Sequence, residues 1–150
     1  MVTAVGLQSD FANALQELVE LDYDAVEAYN KAIDRIENEE HKAKLIEFKE
    51  DHQRHIEEIS NVLRKHGKEV PKGPSTVKQW LTKGKVILGN ITGDSGILSA
   101  MRSNEIDTNY AYDRMIDRDD IWEDEIKEIL KKGQEDEKRH KAWLDSVLSS

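Results

Sequence analysis

Apolar residues return every three or four positions along most of the chain, the mark of helices that bury one face. Phe11, Leu15, Leu18, Ala25, Val26, Tyr29, Ile33 and Ile36 form one such stripe, which predicts a helix over 9–37 capped by Ser9. Asp22 fills an apolar slot of that stripe, while Glu20 and Glu27 fall on the far side and are expected to face water. A tight turn at Glu37-Asn38-Glu39-Glu40 leads into a second helix over 39–65, with Leu45, Phe48, Ile56, Ile59, Val62 and Leu63 on its inner face. His52 and His55 stand on that face where aliphatic residues are expected. His66-Gly67 supplies the stop, because glycine is favoured just past a helix end.

Residues 68–74 contain both prolines and read as loop. A short helix over 76–88, capped by Ser75 and carrying Trp80, is expected within a long crossover. Asp94 or Ser95 then caps a helix over 95–117, whose stripe is Ile97, Leu98, Met101, Thr108, Tyr112, Met115 and Ile116, with Glu105 in an apolar slot. Arg118-Asp119-Asp120 makes a second tight turn. The last helix, over 120–148, buries Ile126, Ile129, Leu130, Gly133, Leu144, Val147 and Leu148, and its stripe also contains Glu137 and His140. The expected fold is all-α: a four-helix bundle of two antiparallel hairpins, one domain over 1–150, with Met1 to Gln8 as a short arm.

The two hairpins repeat each other. Asp22, Ala25 and Tyr29 recur 83 residues later as Glu105, Thr108 and Tyr112; Asp51-His52-Gln53-Arg54-His55 recurs 85 residues later as Asp136-Glu137-Lys138-Arg139-His140. The slip of two falls in turns, where length costs little. Packed about a pseudo-twofold axis, such hairpins bring Asp22, His52, His55, Glu105, Glu137 and His140 towards one point between four helices. A polar residue placed at random lands on a core arc about one time in three. Six ligand-type residues doing so at repeated spacing point to metal, since unpaired charges in an apolar interior cost several kcal/mol. Oxygen and nitrogen donors suit hard-to-borderline divalent ions, and a carboxylate can bridge two of them. Asp51 and Asp136 are placed to accept the outer N–H of the opposite hairpin's histidine, fixing its tautomer. Tyr29 and Tyr112 sit two turns from Asp22 and Glu105 on the same stripes, within reach of the site. His41 and His66, near helix ends, are expected to take no part, and Trp80, Trp122 and Trp143 to anchor core or interface.

Composition narrows the chemistry. With 150 residues, 37% apolar and 35% charged, the chain suits long amphipathic helices. It has no cysteine, which excludes disulfides, thiol nucleophiles and iron–sulfur clusters. A net charge of −9 argues against nucleic acid and anionic lipid as partners and favours cations. No apolar run approaches the roughly 20 residues that span a bilayer, so no membrane partner and a cytoplasmic location are expected. A homodimer is the expected assembly.

These motifs resemble the ferritin-like superfamily of ferritins, bacterioferritins and rubrerythrins, whose di-metal sites draw a carboxylate from each of two helices and Glu-x-x-His from each of the others. Asp-Glu-x-x-His at 136–140 is similar to the bacterioferritin helix motif, and Asp22, Ala25 and Tyr29 to the first ligand helix of rubrerythrin. The nearest likeness is to small bacterial four-helix members. The resemblance implies two Fe ions (alternatively Mn or Zn, or a single ion) and iron oxidation or the handling of oxygen or peroxide as a small oxidant, in the manner of a ferroxidase or peroxidase. Two departures stand out. His52 replaces a Glu that usually bridges the metals, and Asp22 is one methylene shorter than the usual Glu. The gain of a histidine leaves a hemerythrin-like oxygen carrier or sensor as one alternative. A metal-free helical scaffold or interaction protein with a vestigial site is the other.

Overall fold

The computed structural model describes residues 3–74 and 93–149. These form four helices: α1 Phe11–Arg35, α2 Glu39–Lys65, α3 Asp94–Ile116 and α4 Asp124–Leu148. The short helix expected over 76–88, with Trp80, lies outside the described residues.

Two apolar clusters establish how the helices run. One joins Phe11, Leu15 and Leu18 at the start of α1 to Ile59 and Leu63 at the end of α2, and Met115 at the end of α3 to Ile126 and Leu130 near the start of α4. The other joins Tyr29, Ala32 and Ile36 to Leu45 and Phe48, and Ile97, Leu98 and Met101 to Leu144. Start meets end in both hairpins, so each is antiparallel and the whole is an all-α four-helix bundle. Between the two clusters lies a layer of buried polar side chains. Val26, Ile33 and Ile56, expected in the core, are only partly buried, as are Glu20 and Glu27, expected in water. No described helix is long and apolar enough to cross a membrane.

Local chemistry moves three helix starts from their expected places. Asp10, not Ser9, caps α1 by accepting from Asn13 N at 3.3 Å. Asn38 caps α2 through His41 N at 3.0 Å. Asp94 does not cap α3. It is the first helical residue, and its two carboxylate oxygens accept from Glu37 N and Asn38 N, each at 2.9 Å, which ties the α1–α2 link to the second hairpin. The last helix starts at Asp124 rather than 120 because Asp120 is engaged locally: both its oxygens accept from Arg118 at 2.8 Å. Arg118 also donates to Gly6 O and Gln8 O, and Arg114 to Thr3 O and Val5 O, so the arm lies strapped against the second hairpin. Gly67 ends α2 at φ 68°, with Lys68 N returning to Leu63 O at 2.8 Å. That left-handed position favours glycine.

Candidate metal centre

The polar layer is built from the same slot of all four helices. α1 supplies Asp22, α2 His52 and His55, α3 Glu105, and α4 Glu137 and His140, and none is more than 2% exposed. The structure brings all six together. Asp22, His52, His55 and Glu137 each place one donor atom within 4.8 Å of the others, and so do His52, Glu105, Glu137 and His140. His52 and Glu137 therefore belong to both quartets. Within the first, His52 Nδ1 lies 2.7 Å from Asp22 Oδ1 and His55 Nδ1 3.4 Å from the same oxygen. Within the second, His140 Nδ1 lies 3.1 Å from Glu105 Oε1 and 3.2 Å from Glu137 Oε2.

The outer nitrogens of two histidines cross between hairpins. His55 Nε2 lies 2.9 Å from Asp136 Oδ2, and His140 Nε2 lies 2.8 Å from Asp51 Oδ2. Such a partner fixes the ring's orientation and leaves Nδ1 aimed inward. The tyrosines cross too, which sequence periodicity did not anticipate. Tyr29 donates to Glu105 and Tyr112 donates to Asp22 Oδ2 at 2.8 Å, so each phenol holds the carboxylate of the other hairpin. Further residues outside the expected set join the layer. Thr108 Oγ1 donates to Glu105 Oε2 at 3.0 Å, and Asn109 Nδ2 donates to Glu105 O and Glu137 O. Arg54 and Arg139 close one side by pairing with both outer aspartates: Arg54 with Asp136 and with Asp51 (3.1 Å), Arg139 with Asp51 (2.6 Å) and Asp136 (3.2 Å). The recurrence of both arginines in the two copies of the five-residue figure was the signal for this ring. His41 and His66 lie outside the layer, in ring contact with Trp143 and Trp122.

Electrostatics follow from this crowding. Burial opposes a charge on His52, but Glu137, Asp22 and Glu105 outweigh it and lift the imidazole to about 10. Against the same burial, Asp136, Asp22 and Glu137 raise His55 to about 9. Burial likewise disfavours charged His140, and Glu105 with Asp51 and Glu137 overcomes it, to about 12. For Asp22 and Glu105 burial favours the neutral acid, yet the facing histidines hold both carboxylates below their usual range. Glu137 is pushed up to about 7 by burial and the neighbouring charge of Glu105. Burial, then the adjacent carboxylates Glu105 and Asp22, raise Tyr29 and Tyr112 well above the ordinary phenol range, so both remain donors.

The residues fit a metal ion on two counts. The donor set, imidazole nitrogen and carboxylate oxygen, suits divalent transition ions. Among the described residues Glu137 Oε1 is buried with no hydrogen-bond partner, its polar neighbours His52 Nδ1 and His55 Nδ1 standing off at 3.4 and 3.7 Å, which in a native interior leaves room for a further occupant. The buried cluster can thus hold a metal ion. Comparisons with curated proteins and with solved structures find no match. The family model described as a domain of unknown function, DUF2383, matches residues 10–118, which cover α1, α2 and α3, and the chain belongs to that family.

Proposed function

We propose that the protein is a ferritin-like, single-domain metal protein that holds two divalent ions, most simply iron, in the buried layer and serves iron oxidation or the handling of oxygen or peroxide. The observation that carries this reading is the orphaned Glu137 Oε1 among three inward-facing imidazoles, two of them pinned from outside by aspartate. Asp22 and His55 would hold one ion, Glu105 and His140 the other, with His52 and Glu137 between them. A bound redox-active ion would supply electrons to a small oxidant. The chain's own part is to fix the donors: Tyr112 and Tyr29 orient Asp22 and Glu105, and the arginine–aspartate ring orients the histidines and covers the layer on one side. The apolar clusters above and below keep bulk water out.

Metal analysis of protein purified without chelator, then loaded with Fe(II), Mn(II) or Zn(II), tests this. At least one ion per chain is expected, lost in a His55→Ala/His140→Ala double variant. Fewer than about 0.2 ions per chain, unchanged in that variant, overturns it.

One observation favours a second reading, a metal-free scaffold. Every buried imidazole already faces a carboxylate, so the layer can be neutralised by protons alone. In that case a chelator leaves the melting temperature unchanged, whereas a bound ion raises it by mass action.

A further inference from the structure

The three buried histidines are not equivalent. His55 and His140 each spend Nε2 on an outer aspartate and turn only Nδ1 inward. Among the described residues no outer aspartate lies behind His52. Its Nδ1 lies 2.7 Å from Asp22 Oδ1 and 3.4 Å from Glu137 Oε1, on the His55 side. Its Nε2 lies 3.4 Å from Glu105 Oε1, on the His140 side. Both ring nitrogens therefore face donor groups of the layer, one in each quartet.

The residue at the repeat-equivalent position, Glu137, does the same with its two oxygens. Oε1 lies 3.4 Å from His52 Nδ1 and 3.7 Å from His55 Nδ1, and Oε2 lies 3.2 Å from His140 Nδ1. The ring of His52 is fully buried and held on its other sides by Tyr29 (centroids 5.5 Å apart), His55 (5.5 Å) and His140 (5.3 Å). Rotating it to present one nitrogen alone would mean repacking all three rings.

We propose that His52 is a shared ligand, binding one ion through Nδ1 and the other through Nε2, so that the centre is bridged on one side by an imidazole ring and on the other by the Glu137 carboxylate. This rests on the metal-binding reading above. Each ion then receives two nitrogens and two carboxylates: His55, His52, Asp22 and Glu137 for one, His140, His52, Glu105 and Glu137 for the other. A centre with two imidazoles per ion is a softer site than one bridged by two carboxylates, and it favours zinc-, copper- or cobalt-like ions more than a carboxylate-rich one does. When both ions are in place His52 has given both ring protons to solvent, whereas His55 and His140 keep the Nε2 protons that their aspartates accept.

The test uses the full chain with histidine labelled at its ring nitrogens and Zn(II) as the probe. With two Zn(II) bound, nitrogen-detected NMR is expected to show one imidazole with no N–H and both nitrogens shifted as metal ligands. That ring pattern disappears in His52→Gln. A second measurement needs no variant. With two Cu(II) per chain the integrated electron-spin signal at low temperature is expected to fall well below the copper bound, because the ring and the Glu137 carboxylate together couple the ions. Replacing one Cu(II) by Zn(II) restores a full signal for each remaining copper. Two bound Zn(II) with an N–H retained on His52 overturns the proposal, as does a chain that takes up a single ion, or two Cu(II) that keep full intensity. A retained N–H or full copper intensity leaves the metal-binding reading standing, a single bound ion reduces it from two ions to one, and that reading itself fails only if the layer takes up fewer than about 0.2 ions per chain.

Discussion

The two halves of the polar layer share their charged residues and differ in what packs behind them. On one side His140 lies flat against Phe48, with ring centroids 4.2 Å apart and planes 27° from parallel. On the other, the position that the repeat matches to Phe48 is Gly133, and there the ring of Tyr112 lies against the α4 backbone, 5.3 Å from His55. Thr108 donates to Glu105 and Glu137, while its counterpart is the buried and apolar Ala25. Between the repeats the positions of the ligand-type residues are kept, although His52 answers to Glu137 and Asp22 to Glu105, while the packing behind them diverges. The His140 half thus has an aromatic plug besides the Tyr29 phenol that grips Glu105, whereas in the His55 half the Tyr112 phenol that grips Asp22 lies against bare backbone at Gly133. Direct contact with a charged group is under tighter geometric demand than the apolar volume around it, which can be filled in several ways.

Removing the plug is expected to have the largest effect. Phe48 is 1% exposed and touches His140, Tyr29 and Trp143. Phe48→Ala should cost about 3–5 kcal/mol, read as a shift in the urea midpoint of the metal-free protein. A cost below about 1 kcal/mol would mean that the two halves are packed alike after all.

Acid–base behaviour separates the halves next. A histidine whose pKa is raised on folding lends stability that is complete below its unfolded value, near 6.5, and is lost as pH rises through the folded value. For His55 that window closes at about 9, for His52 at about 10 and for His140 at about 12. Glu137, raised to about 7, adds a loss of the same sign from the usual carboxylate range upward. Above about pH 6.5 all three rings are protonated in the folded chain and neutral in the unfolded one, so the metal-free protein should lose stability steadily from neutrality to pH 9, and the ring of the His55 half should be the first to give up its proton. Ring-proton NMR shifts against pH check the order; His140 titrating first would reverse the comparison.

Thr108→Ala makes the His140 half resemble its partner at this position. It removes a donor 3.0 Å from Glu105 Oε2 and is expected to cost about 1–2 kcal/mol. An unchanged urea midpoint would show that Thr108 holds neither acid.

Much of this was legible in the sequence, for identifiable reasons. Six polar residues on otherwise apolar stripes mark a buried layer, and repetition of the five-residue figure indicates that two hairpins share it. The outer pairing of Asp51 with His140 and Asp136 with His55 follows from the same symmetry. What one stripe cannot show is which side chain of another helix it meets. The stripes bring Tyr29 and Tyr112 within reach of the site but do not show that each hydroxyl reaches the acid of the other hairpin. Two helix starts depend on contacts the pattern does not carry: Asp94, expected as a cap, accepts instead from Glu37 N and Asn38 N, and Asp120, expected as the first residue of the last helix, is held by Arg118 before the helix begins. The contrast between Phe48 and Gly133 needs the distance between helices, which periodicity does not contain.

Gly133 offers the smallest and most discriminating change. In a helix interior, alanine is favoured over glycine by about 1 kcal/mol, so Gly133→Ala gains from propensity alone. A methyl group there, however, would sit 2.5 Å from Tyr112 Cε1 and 3.1 Å from Cδ1 and Cζ. The ring has little freedom to yield: its hydroxyl is tied to Asp22 at 2.8 Å, and His55 lies on one side of it. Forcing it aside costs about 1–3 kcal/mol, so the net effect should be a destabilisation of about 1 kcal/mol. Near-ultraviolet circular dichroism should change, as Tyr112 is displaced from α4. At Phe48 the same comparison runs the other way, because there the side chain is the filler rather than the obstacle. If Gly133→Ala is instead stabilising and leaves the tyrosine signal untouched, Tyr112 is not wedged against α4, and the close approach that sets the His55 half apart is not what positions Asp22.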